Sequence, residues 1–115
     1  MEQLFFEGTP SNFDLDVFGD FKELVIVYFW GPNCPNCEIF ARHLPSLLEA
    51  LKSLPIKIVK TNAYEHPDLG TRFGIFGIPT FILVHQGKVL GRMSSFQGDD
   101  YFLTVIRETL LRTSS

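Results

Sequence analysis

A chain of 115 residues with 45% hydrophobic content, 12 phenylalanines and only 2 cysteines has the material for one domain whose core needs no disulfide staples. Its net charge of −3 and the lack of any Lys/Arg cluster leave nothing that favours nucleic acid or an anionic membrane as a partner. The longest apolar run, Leu24 to Trp30, is too short to span a bilayer, and Met1-Glu2-Gln3-Leu4-Phe5-Phe6-Glu7 lacks the positive start and apolar stretch of a signal peptide, so a cytoplasmic location is expected.

Ser11-Asn12-Phe13-Asp14 has the S-x-x-D form of a capping box and leads into Val17, Phe18 and Phe21 at helical spacing, which predicts a first helix. Leu24–Trp30 follows as a strand apolar on both faces, the pattern of a central strand covered by helices on each side. Pro35 suits a first helical position, and Phe40, Leu44, Leu47, Leu48 and Leu51 mark one face of a long helix that Pro45 should kink. Residues 56–59 read as a second strand, ended by the polar Thr61-Asn62-Ala63. His66-Pro67-Asp68 starts a short helix that stops near Gly70 to Gly74. Residues 81–84 and 89–93, joined by His85-Gln86-Gly87-Lys88, read as a hairpin. Asp99-Asp100 opens a closing helix with Phe102, Val105, Ile106 and Leu110 on one face, before a polar tail at Thr113-Ser114-Ser115. This order predicts a single α/β domain over residues 1–115, a central mixed β-sheet flanked by helices on both faces.

The chemistry points to Cys34-Pro35-Asn36-Cys37, where the only two cysteines stand three apart behind the apolar strand. The first turn of a helix brings residues i and i+3 within the roughly 4.4–6.8 Å between α-carbons that a disulfide requires. Cys34 would lie at the helix N-terminus, where free amides and the macrodipole favour its thiolate, and so would act as the attacking thiol. Cys37, one turn inside, would resolve the mixed disulfide intramolecularly. The competing readings are half a zinc site, or two inert core thiols. Zinc would have to recruit His43, His66 and His85, none of them at metal-ligand spacing. In a reducing compartment a C-x-x-C pair is more plausibly catalytic than structural.

Tyr28-Phe29-Trp30-Gly31-Pro32-Asn33-Cys34-Pro35-Asn36-Cys37 matches an F-W-x-x-x-C-x-x-C signature, and Phe73-Gly74-Ile75-Phe76-Gly77-Ile78-Pro79-Thr80-Phe81 a Y/F-G-I-x-G-I-P-T block. With Phe13-Asp14-Leu15-Asp16-Val17 as a first-helix segment, the chain resembles the thioredoxin family over residues 13–110. The resemblance implies the thioredoxin fold, a cis Ile78–Pro79 peptide facing the dithiol, and backbone hydrogen bonds from Ile78 to an extended substrate. Trp30, Ile78 and Pro79 would shape the docking groove. It implies protein disulfides as substrates, a flavin-dependent thioredoxin reductase as electron source, and a monomer. No bound cofactor or metal is expected, since neither a G-x-G-x-x-G nor a P-loop is present.

Several positions depart from the family pattern. Tyr28 stands where the family usually carries a buried Asp thought to deprotonate the second cysteine, and a phenol titrating near about 10 is a poor base at neutral pH. Lys60, where the family keeps a lysine, could support proton transfer from Cys37, or could simply reach solvent from a strand end. Pro35-Asn36 replaces the usual Gly-Pro between the thiols, which should shift the redox poise. Asn33, Ser95 and Phe76 alter the rim that partners would touch. Taken together, the sequence predicts a thiol–disulfide oxidoreductase that reduces protein disulfides. Two other readings stay open: a thioredoxin-fold binding or chaperone-adaptor module, and an electron donor dedicated to one target enzyme.

Overall fold

A computed structural model describes residues 5–113, so the N-terminal four residues and the Ser114-Ser115 end of the polar tail lie outside the described residues. The elements run β1 (Phe5–Glu7), α1 (Phe13–Phe18), β2 (Leu24–Trp30), α2 (Pro35–Leu51), β3 (Ile56–Asn62), α3 (Pro67–Arg72), β4 (Thr80–His85), β5 (Lys88–Met93) and α4 (Asp99–Thr113). They build a five-stranded sheet in the order β1-β3-β2-β4-β5. Strands β1, β3 and β2 are mutually parallel, while β4 runs antiparallel to both β2 and β5.

Side chains alternate across a strand, so β2 divides its apolar run between two cores. Leu24, Ile26 and Tyr28 face Phe40, Leu47 and Leu51 of α2 and Phe102 and Ile106 of α4. Val25, Val27 and Phe29 face Phe13 and Val17 of α1, Leu69 of α3, and Phe73. This two-sided burial is what the apolar run required, with all but Trp30 of the strand buried. The β4–β5 hairpin closes on Gln86 and Gly87, both at positive φ (49° and 80°), the backbone that a two-residue turn between twisted strands demands.

The structure corrects the sequence in four places. The capping box does not form, because Asn12 rather than Ser11 occupies the cap position of α1. The Asn12 carboxamide oxygen instead accepts from the Thr9 N–H and hydroxyl at 2.7 Å each, and its NH2 donates to Asp16 at 2.8 Å. Phe21 lies beyond α1, half-buried under the Lys57 ammonium at 4.2 Å. Strand β3 continues through Lys60, Thr61 and Asn62, which pair with Tyr28, Phe29 and Trp30, so pairing overrides the polar composition. Strand β1, not anticipated at all, adds an edge to β3. Pro45 sits on the exposed side of a continuous α2, where its missing N–H removes one bond of the helix.

Candidate redox site

The site forms where β2 gives way to α2. Gly31 is buried, and a Cβ there would come within 2.8 Å of the Ile78 Cδ1, so the chain leaves the sheet pressed against the Ile78 loop. Asn33 then takes a left-handed φ of 56°, a conformation in which Asn is several-fold enriched among non-glycine residues. That single turn delivers Cys34 to the N-cap position of α2 with extended φ/ψ (−124°, 100°), and Pro35 starts the helix behind it.

Cys34 and Cys37 are joined as a disulfide with their α-carbons 5.2 Å apart. The Cys34 Sγ accepts a hydrogen bond from the Cys37 N–H at 3.1 Å, the sulfur serving as helix cap. Its other neighbour is the Ile78 carbonyl oxygen at 3.6 Å, a contact in the disulfide and an acceptor for the thiol once the bond is reduced. Cys34 is 8% exposed and Cys37 4%, so the first sulfur is the more accessible of a largely covered pair. The Cys37 amide and the N-terminus of α2 thus both face the Cys34 sulfur.

The Ile78–Pro79 peptide is cis, as expected, and Pro79 is buried. Across this turn the Thr80 hydroxyl donates to the Gly77 carbonyl at 2.7 Å, tying the loop to the start of β4.

On the Cys37 side a crevice of about 160 Å³ is lined by Tyr28, Trp30, Cys37, Glu38 and Lys60 among others. The β2–β3 register sets Lys60 directly opposite Tyr28, and the Lys60 ammonium lies 4.5 Å from the centroid of the Trp30 ring. Lys60 is therefore neither a free strand-end lysine nor a buried one, but half-covered by the indole. The Trp30 indole Nε1 is buried without a hydrogen-bond partner.

Tyr28 is only 3% exposed and is packed between Phe40 (ring centroids 4.7 Å apart) and Phe81 (5.4 Å, stacked). Burial pushes its phenol up from the ordinary 10.0 to about 12, so it stays protonated across the physiological range and cannot accept a proton from Cys37. Glu38 is the one carboxylate lining this crevice, and no signal in the sequence beyond its place after Cys37 singled it out.

The structure thus brings Cys34, Cys37 and Ile78 together, with Trp30 and Lys60 behind the second thiol. The histidines lie against other partners: His43 bonds Asp99 at 2.8 Å, His85 the Lys22 carbonyl at 3.2 Å, and the His66 ring is 3.9 Å from the Glu65 carboxylate. Among the described residues, no group of three or more His, Cys, Asp or Glu side chains is placed to hold a metal ion.

Residues 5–108 match the family model described as Thioredoxin. The chain belongs to the thioredoxin family. The chain is 32% identical over 89 residues to a thioredoxin of Chlorobaculum thiosulfatiphilum, an alignment spanning 77% of this chain and 81% of that one. It is 33% identical over 89 residues to a thioredoxin of Alicyclobacillus acidocaldarius subsp. acidocaldarius, covering 77% of this chain and 82% of the relative. A probable protein disulfide-isomerase A4 of Caenorhabditis elegans is 34% identical over 82 residues, 70% of this chain but 13% of that much longer protein. The five-stranded mixed sheet with helices on both faces is the thioredoxin fold, and the match reaches back to β1, beyond the segment that the motifs alone covered. Cys34–Cys37 is the C-x-x-C redox pair of a thioredoxin-family thiol–disulfide oxidoreductase.

Proposed function

We propose that this protein reduces disulfides in other proteins, with Cys34 as nucleophile and Cys37 as resolving thiol. The observation that supports this reading best is the Cys34 sulfur seated at the cap of α2, bonded to the Cys37 amide and set against the Ile78 carbonyl. The Cys34 thiolate attacks one sulfur of a substrate disulfide. That bond breaks, the leaving sulfur departs with the electron pair and takes a proton, and a mixed disulfide to Cys34 remains.

Cys37 then loses its proton and attacks the Cys34 Sγ, expelling the second substrate thiol and closing the Cys34–Cys37 bond. Two electrons have passed to the substrate. Trp30 and Ile78, both half-buried, give the surface on which the substrate chain lies, and the buried Pro79 fixes the Ile78 backbone for hydrogen bonds to it. Lys60 supports departure of the Cys37 proton through its positive charge on the shared crevice. In this reading a flavin-dependent reductase drawing on a nicotinamide cofactor restores the dithiol. The protein itself carries no cofactor, and it works in the cytoplasm as a monomer.

Insulin reduction by dithiothreitol tests the proposal. The wild-type protein is expected to accelerate precipitation of the freed insulin chain, and Cys34→Ser to abolish the acceleration. A wild-type rate equal to dithiothreitol alone would overturn it. An equilibrium potential measured against a glutathione series gives the direction: a value above the glutathione couple would make the protein an oxidant.

A further inference from the structure

Resolution of the mixed disulfide requires the Cys37 thiol to lose its proton, and Cys37 is largely covered where it lines the crevice behind the site. Each wall of that crevice brings one titratable group besides the thiol: Tyr28 from β2, Lys60 from β3 and Glu38 from α2. The Tyr28 phenol, pushed up to about 12, holds its own proton, and an ammonium donates hydrogen bonds but accepts none. The Glu38 carboxylate remains. Carboxylates as a class are ionised at neutral pH and act there as acceptors.

Helix geometry keeps the way between thiol and carboxylate open. At about 100° per residue, Ala41 projects between Cys37 and Glu38 one turn further along α2, and all three line the crevice. A methyl group in that place leaves the gap unfilled. The crevice volume of about 160 Å³ is far above the roughly 10–15 Å³ needed to admit one water molecule, so a water has room to carry the proton across. Glu38 is exposed, and among the described residues no ion pair occupies its carboxylate.

We propose that Glu38 is the proton acceptor for Cys37 during resolution, reached through one water in the crevice. The Cys37 S–H bond breaks, its proton passes by way of the water to a Glu38 carboxylate oxygen, and the Cys37 sulfur bonds the Cys34 Sγ. The bond from Cys34 to the substrate sulfur breaks, and that sulfur leaves with the electron pair. Glu38 then returns its proton to the departing thiolate or to solvent. Lys60 and Glu38 divide the work, one steadying negative charge on Cys37 and the other removing the proton. The inference rests on the disulfide-reductase reading and adds the group that receives the proton.

The test mixes reduced protein with one equivalent of 5,5′-dithiobis(2-nitrobenzoate) in a stopped-flow instrument between about pH 5.5 and 9. Attack by Cys34 frees one coloured thiolate in a first phase, and resolution by Cys37 frees the second. Without an acceptor the second phase follows the thiolate fraction of Cys37 and falls about tenfold for each pH unit below the thiol's titration. With Glu38 in place it should stay nearly level from about pH 7.5 to 6. In Glu38→Gln the steep fall should return, leaving resolution about tenfold or more slower at pH 6. Removing a negative charge beside Cys37 would by itself ease ionisation and speed resolution, so the two roles predict opposite signs. A Gln variant as fast as wild type or faster, or one slowed by the same factor at every pH, overturns Glu38 as acceptor while leaving the reductase reading intact. Absence of the first phase in the wild-type protein overturns both.

Discussion

Replacing Tyr28 with Phe removes one hydroxyl and keeps the ring that stacks on Phe81 and meets Phe40 edge-on. Burial holds the folded-state phenol at about 12 against 10.0 when exposed. A pKa raised by folding means that the fold favours the protonated form. The stability tied to it is therefore complete below about pH 10, declines as the unfolded chain ionises, and is lost above about pH 12. At about 1.36 kcal/mol per pKa unit, the rise from 10.0 to about 12 corresponds to roughly 2–3 kcal/mol. Urea unfolding of the oxidised protein between pH 7 and 12 should show wild type and Tyr28→Phe running in parallel to about pH 10. Beyond it they should diverge, the wild type falling faster by up to that amount. Release of a trapped Cys34 mixed disulfide at pH 7 should be unchanged by the same substitution, because a phenol that is not ionised accepts no proton. An equal alkaline decline in both proteins would refute the burial argument, and a slower release at pH 7 would refute the assignment of Tyr28 to the core.

Iodoacetamide across pH 5–9 should label Cys34 of the reduced protein before Cys37, by virtue of its greater exposure and its place on the helix cap; mass spectrometry of the early product reads the order, and Cys37 reacting first would reverse the roles. Lys60→Met takes a positive charge from the crevice shared with Cys37, so the pH midpoint of mixed-disulfide release should move upward, and an unmoved profile would leave Lys60 with only its Trp30 contact. Phe40→Ala empties a fully buried position whose ring touches Tyr28, Phe81, Phe96 and Phe102, at a cost of about 3–5 kcal/mol in denaturant unfolding. Gly8→Ala would set a Cβ 2.6 Å from the Thr61 Oγ1 and 2.7 Å from the Val59 Cγ1, so it should cost about 1–3 kcal/mol and loosen β1 in hydrogen exchange.

The parts of this structure that were legible in the sequence are those set by local chemistry. Leu24–Trp30 declared both its ends because seven consecutive apolar residues need cover on two sides. The helix start at Pro35 and the pairing of Cys34 with Cys37 follow from spacing within one turn. What stayed hidden depends on partners far away in the chain. Thr61 is wholly buried although polar, and only its pairing with Phe29 makes it strand. Phe5–Glu7 is too short to show alternation and becomes a strand only by lying on β3. The S-x-x-D pattern was outcompeted by Asn12, whose carboxamide satisfies Thr9 and Asp16 together. At the site, the motifs located the thiols and Ile78-Pro79, but the crevice behind Cys37 exists only because the β2–β3 register faces Lys60 with Tyr28. A groove lined by Tyr64, Pro67, Phe76 and Ile78 likewise joins a loop after β3 to the loop before β4, which no spacing rule connects.

With α2 holding the two cysteine α-carbons 5.2 Å apart, electron affinity and folding energy become two readings of one thermodynamic cycle. The unfolded chain must close the same ring against its own chain entropy. Whatever advantage the folded chain has in closing it therefore equals the extra free energy needed to unfold the oxidised protein compared with the reduced one. A substitution that steadies the first turn of α2 in only one redox form must retune the potential by the matching amount, about 30 mV for each 1.4 kcal/mol. Paired melts of the oxidised and reduced protein thus report, variant by variant, how far each change at the N-terminus of α2 moves the couple, without a redox titration.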